Sequence, residues 1–202
     1  MLSSSSTSQT QYKPHSLSDW KFSFTNYFSG RCHGLAIAAW KNFSSGTYEG
    51  LLLAPYNTGK KTKGLVVGGV NSVTGKQRGI VLSAANIVSN VDGGDETNKQ
   101  QGIFASFNNY CAGLQEGVFA SAMNEAGGEQ RGIFAAVLNS AKEGFKGLQL
   151  GLFNYGGVDS QGLQVGLVNV RRKEGGSLSI VPFFAFRRLS IDDLVSDSSE
   201  ID

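Results

Sequence analysis

Histidine is almost missing from this chain, which has only His15 and His33 among its 202 residues. The first lies in a polar, aperiodic head and the second beside a turn, so they offer neither a metal-binding cluster nor the base of a Ser-His-Asp arrangement. Cysteine is as scarce. Cys32 and Cys111 fall in different inter-strand segments, and two cysteines in a chain this long read as free thiols rather than a disulfide framework. No run of 18 apolar residues occurs, which excludes a transmembrane helix but says nothing about short alternating membrane strands. The opening Met-Leu-Ser-Ser-Ser-Ser-Thr-Ser-Gln-Thr has no basic start and no apolar run, so no classical signal peptide is expected.

Glycine is abundant instead, at 27 residues, nearly double the usual share. A template explains most of it: Gly, apolar, any, apolar, small, any, any, Asn. Copies begin at Gly50, Gly64, Gly79, Gly102, Gly117, Gly132, Gly147 and Gly162 and close on Asn57, Asn71, Asn86, Asn109, Asn124, Asn139, Asn154 and Asn169. The usual step is 15 residues, stretched to 23 between Gly79 and Gly102 by an insertion around Ser89 to Gln100. Looser copies at Asp19–Asn26 and Gly34–Lys41 and an atypical one at Ser177–Phe184 bring the array to about eleven units.

Gly162-Leu163-Gln164-Val165-Gly166-Leu167-Val168-Asn169, followed by Ser179-Ile180-Val181-Pro182-Phe183-Phe184-Ala185-Phe186, resembles the glycine-rich surface-repeat proteins of bacteria, of leptospiral type. The resemblance covers roughly residues 34 to 186. It implies tandem β-repeats ending in an aromatic, Pro-containing strand and carries over no catalytic residue.

Residues 1–17, rich in Ser, Thr and Gln, are expected to be a disordered head, residues 18–188 a β-repeat domain and residues 189–202 an acidic, Ser-rich disordered tail. The tail holds Asp192, Asp193, Asp197, Glu200 and Asp202 without a base, so a net charge of +2 conceals a basic body. Arg187-Arg188-Leu189-Ser190 matches a basophilic kinase site, making Ser190 a candidate for phosphorylation.

The fold class expected is all-β. Alternation within each copy defines two faces, and offsets 1, 3 and 5 after the Gly (Leu148, Leu150, Leu152; Ile133, Ala135, Val137) are assigned to the core. Turns such as Val73-Thr74-Gly75-Lys76 and Ala126-Gly127-Gly128-Glu129 read as hairpins, and antiparallel pairing would set large residues against small ones. This yields an antiparallel meander of about 10–11 strands, curled or barrel-like. The alternative is a parallel β-solenoid with one coil per copy, stacking Gly on Gly and Asn on Asn.

Several residue groups are candidates for recognition. Phe104, Phe119 and Phe134 share offset 2 and would form an aromatic partner-binding patch, or else fill space over small neighbours. Lys60, Lys61, Lys63, Arg171, Arg172 and Lys173 would form an anion-binding rim, or a solvated one. The repeated Asn either lines a polar rim or satisfies backbone groups. Asp92, Asp95 and Glu96 in the insertion lack the spacing of an EF-hand. Ala54–Lys61 and Val70–Gln77 imitate a phosphate loop, but neither has a Ser or Thr after the Lys or opens a helix.

No cofactor is called for, and no constellation supports an enzyme. The reading is a non-enzymatic binding scaffold at the cell surface or secreted by a specialised system, a translocated effector being one form; the alternative is a membrane-associated or outer-membrane β-barrel. A protein partner is favoured, anionic lipid or membrane is next, and nucleic acid is disfavoured because the basic clusters are dispersed. The sequence leaves the oligomeric state open.

Overall fold

In a computed structural model, residues 18–89 and 98–187 are described, with side chains from Lys21 to Phe186. The described chain is a parallel β-solenoid of about ten coils. Its strands are β1 (Ser18–Phe28), β2 (Arg31–Val88), β3 (Lys99–Cys111), β4 (Leu114–Ala126), β5 (Glu129–Ala141), β6 (Gly144–Leu150), β7 (Phe153–Gly156), β8 (Gln161–Arg172) and β9 (Leu178–Arg187). β2 runs through several coils without a break. Each coil is designated below by its template glycine.

Successive copies lie in parallel with like over like: Gly102↔Gly117↔Gly132, Phe104↔Phe119↔Phe134 and Asn109↔Asn124↔Asn139. This corrects the antiparallel meander, which survives only where β9 turns back along β8. The cause lies in the residues that repeat most strictly. The template glycines adopt φ of +123 to +138° from Gly50 to Gly162, a region that L side chains rarely enter. At Gly117 a Cβ would drive into the carbonyl oxygen of Gly102 one coil below. A glycine is therefore needed in every coil because each stacks on the last.

The assignment of faces is also reversed. Offset 2 points inward, forming a column of Ala36, Leu52, Val66, Val81, Phe104, Phe119 and Phe134. Offsets 1, 3 and 5 point outward: Ile103, Val118, Ile133, Val137 and Leu167 are all exposed. Strict alternation breaks near offsets 5 and 6, where residues such as Leu152 and Phe153 both face out, and Asn at offset 7 then turns inward. The interior is thin enough that opposite walls hydrogen-bond. The Thr58–Lys63 stretch, which has little apolar to bury, needs to send in only Thr62.

Most buried polar groups are paired along the stack. Asn Nδ2 donates to the Oδ1 of the next coil's Asn from Asn26 to Asn42, Asn42 to Asn57 and Asn57 to Asn71, at 2.8–2.9 Å. The pattern recurs from Asn86 to Asn109 and from Asn124 through Asn139 and Asn154 to Asn169. The same amides also reach backbone carbonyls, as Asn139 does to Leu150. The repeated Asn thus satisfies backbone and partner together.

A glutamine ladder runs beside it in the opposite sense, each Nε2 donating back to the previous coil. Gln115 donates to Gln100, Gln130 to Gln115, Gln149 to Gln130 and Gln164 to Gln149. Gln100, Gln115 and Gln130 lie two residues before their glycine, whereas Gln149 and Gln164 lie two after. At the crossing Phe145 takes the place vacated by Gln, so coils 102 to 147 each keep one ring and one amide, and in coil 162 Ser160 stands where the ring was. Gly156 makes room, since a Cβ there would strike the Phe145 ring.

Arg171 closes the glutamine ladder. Its Nε donates to Gln164 Oε1 at 2.9 Å, its Nη2 donates to the carbonyls of Gly162 and Ala185, and its guanidinium lies over the Phe145 ring at 5.2 Å. β9 covers the same end, and Asn169 donates to the carbonyl of Val181. Pro182 cannot donate to a further strand, and Phe183, at φ +65°, bends the backbone. Both features discourage edge-to-edge growth from β9.

Candidate interaction surface

Phe104, Phe119 and Phe134 are not a surface patch. They are at most 1% exposed and stack face to face inside the coil, with centroids 4.7 and 4.9 Å apart and planes within 10°. Replacing the small, diagonally placed neighbours of a meander with an identical ring directly above brings them into register. Of the two readings open to these residues, space-filling holds.

The basic rim does not assemble into one site. Lys60 and Lys61 lie at the turn of coil 50, whereas Arg172 and Lys173 follow coil 162, about 34 Å away at the usual strand spacing. Lys63 faces Glu49 at 3.9 Å. Arg171 is the internal cap described above. Ser190 and the acidic residues Asp92, Asp95 and Glu96 lie outside the described residues, as does His15. The two phosphate-loop imitations run within β2 and open no helix. Among the described residues no group of three His, Cys, Asp or Glu comes together as a metal site. His33 contacts Glu49 at 3.3 Å, alongside Arg31 at 3.5 Å.

The repeat places outward instead the residues assigned to the core. Offsets 1 and 3 are Leu35 and Ile37 in coil 34, Leu51 and Leu53 in coil 50, Leu65 and Val67 in coil 64, and Ile80 and Leu82 in coil 79. They continue as Ile103 and Ala105, Val118 and Ala120, Ile133 and Ala135, Leu148 and Leu150, and Leu163 and Val165. Offset 5 adds Phe107, Val137, Leu152 and Leu167, all exposed. No charged side chain interrupts offsets 1 to 5 on any of these coils. The alternation shows that these residues share a side, but not which side of the wall is the core.

A largely charged margin borders this face one residue before the glycine: His33, Glu49, Lys63, Arg78, Glu116, Arg131 and Lys146, with uncharged Gln101 and Gln161 in the other two coils. Its pairs step from coil to coil, Lys99 to Glu116 at 2.6 Å and Lys146 to Glu129 at 3.4 Å, while Arg131 holds Glu129 at 2.6 Å. The Lys99 hydrogen bond holds the Glu116 carboxyl below its ordinary value. Chemically the surface offers an uncharged, regularly ridged apolar area with an ionic border along one side. Comparison with protein-family models, curated proteins and solved structures gives no match for this chain.

Proposed function

We propose that the protein is a non-enzymatic binding scaffold whose working surface is the outward apolar face. The observation that supports this reading is the outward-facing set of apolar residues at offsets 1, 3 and 5, which no charge interrupts from Leu35 to Leu167. Soluble monomers seldom leave an apolar patch beyond a few hundred Å² uncovered, so a face of this extent is built to be covered. In this reading the protein acts like a bacterial glycine-rich surface-repeat protein, displayed at or beyond the cell surface, and its partner is another protein.

Carboxylates placed on the face supply the test. Val118→Asp with Ile133→Asp should keep the β-type circular dichroism, because both positions are already exposed, yet abolish capture of partners by the immobilised full chain. Loss of the β signal would mean the face is interior, and the scaffold reading would fall.

A second reading, adsorption to a membrane through the same face, is favoured by exposed Phe22, Phe24, Tyr27 and Trp40 near the first coils, since aromatics anchor well at lipid interfaces. Flotation with anionic vesicles would support it, and recovery of the protein in the aqueous fraction would oppose it. The parallel coils round a filled interior lack the antiparallel wall that a spanning barrel requires.

A further inference from the structure

We infer that the covering partner is a second copy of this chain, packed face to face about a twofold axis that runs along the strands through coil 102. The inference rests on the scaffold reading and names its partner.

Size comes first. Nine coils at about 4.8 Å each, with five residues of strand across, give a face roughly 40 Å by 15 Å, on the order of 600 Å² per copy before the side-chain relief is added. A standard stable interface takes about 800 Å² per partner, and its core is depleted of charge. The face is free of charge, and its bare footprint supplies about three-quarters of that area, with the side-chain relief and the margins adding the rest. Its ridges also repeat at the strand spacing, so a partner with the same period can interlock along the whole length, and a second copy has that period by construction.

Shape and charge then select the arrangement. A twofold axis along the strands reverses the order of coils and keeps each offset opposite itself. Coil 102 is the fifth of nine, so it meets its own counterpart. Phe107, the most exposed large apolar residue among the described residues at 74%, lies on the axis and faces its partner's Phe107, an aromatic contact of the kind that anchors interfaces. Beside it Ala105, Ala120 and Ala135 form a shallow trench at offset 3. Coil 117 meets the partner's coil 79 and coil 132 meets coil 64, so Leu82 and Val67 enter that trench.

The margins agree. The same operation sets Arg78 against the partner's Glu116 and Lys146 against the partner's Glu49, each twice. Lys63 and Arg131 are the one like-charged encounter, and each already has a carboxylate in its own chain, Glu49 and Glu129. Arg78 has no ion pair among the described residues, so it is available for Glu116. A twofold axis along the stack would instead set each margin against the opposite side of the coil and lose this match.

Sedimentation equilibrium of the full chain tests it. A dimer is expected, and Phe107→Asp should weaken it at least about 30-fold. Arg78→Glu or Glu116→Arg alone should weaken dimerisation several-fold, and Arg78→Glu with Glu116→Arg together should restore it. All variants should keep the β-type circular dichroism, because these side chains are on the surface. A monomer at tens of micromolar, a dimer indifferent to Phe107→Asp, or a double charge exchange that fails to rescue overturns the inference. A monomer that stays aqueous and loses another protein's capture on Val118→Asp leaves the scaffold reading standing. One that floats with vesicles removes both.

Discussion

Asn139 shows what a single position contributes. It accepts from Asn124, donates to Asn154 and reaches the carbonyl of Leu150 at 2.9 Å, all in the interior. Asn139→Ala would strand a donor on one neighbour and acceptors on others, and should cost about 2–4 kcal/mol in urea unfolding. Gly132 is at φ +123° with the Gly117 carbonyl beneath it. Gly132→Ala should therefore cost about 3 kcal/mol or more, whereas Gly175→Ala, at φ +79° in open space, should cost only about 1. Burial pushes the Cys111 thiol up to about 11 and moves the Tyr48 hydroxyl in the same direction. A raised acid favours the folded state below its unfolded pKa, so this stability is present below about pH 9 and is lost as pH rises toward 11. Thermal midpoints should fall across that window. Cys111→Ala, which copies Ala126 and Ala141 at the same place in later coils, should flatten the fall, and native Cys111 should resist alkylation at pH 8 where the less buried Cys32 reacts.

Within coils 102 to 147 the design is one ring, one amide and small residues between, and the crossing at Phe145 and Gln149 shows that the two can trade places. Phe145→Gln and Gln149→Phe should each destabilise, placing two amides or two rings in one coil. The double variant should recover part of the loss, a coupling of about 1–3 kcal/mol by thermal or urea unfolding. Full recovery is not expected, since Gly156 and Arg171 are fitted to the present order. The same compactness explains why the sequence revealed some features and concealed others. The repeat, its period and the β class were legible because glycine, apolar and Asn recur at fixed offsets. The direction of pairing was not, because X-Gly turns serve a hairpin and a solenoid corner equally. The side of the wall was misjudged for a related reason. Apolar residues at offsets 1, 3 and 5 looked like the core, while the true interior carries Asn and Gln, whose burial makes sense only once identical amides stack and satisfy one another. Phe104, Phe119 and Phe134 share an offset, and in a stacked array a shared offset means a column.

Taken as a whole, the molecule is a column in which each coil touches mainly its neighbours, so stability should accumulate coil by coil. Removing residues 117–131, one whole period, should leave a shorter column with the same β signal and a modestly lower thermal midpoint; removing 117–124, about half a period, should abolish cooperative melting. Calorimetry on the two deletions separates the outcomes. The antiparallel senses of the Asn and Gln ladders bear on the same property. One file of side-chain dipoles points toward the carboxyl end and the other toward the amino end, so their moments oppose rather than sum. Where both files run, from coil 117 to coil 162, lengthening the column adds little polarisation to its tips, and duplication of a coil meets no growing electrostatic resistance.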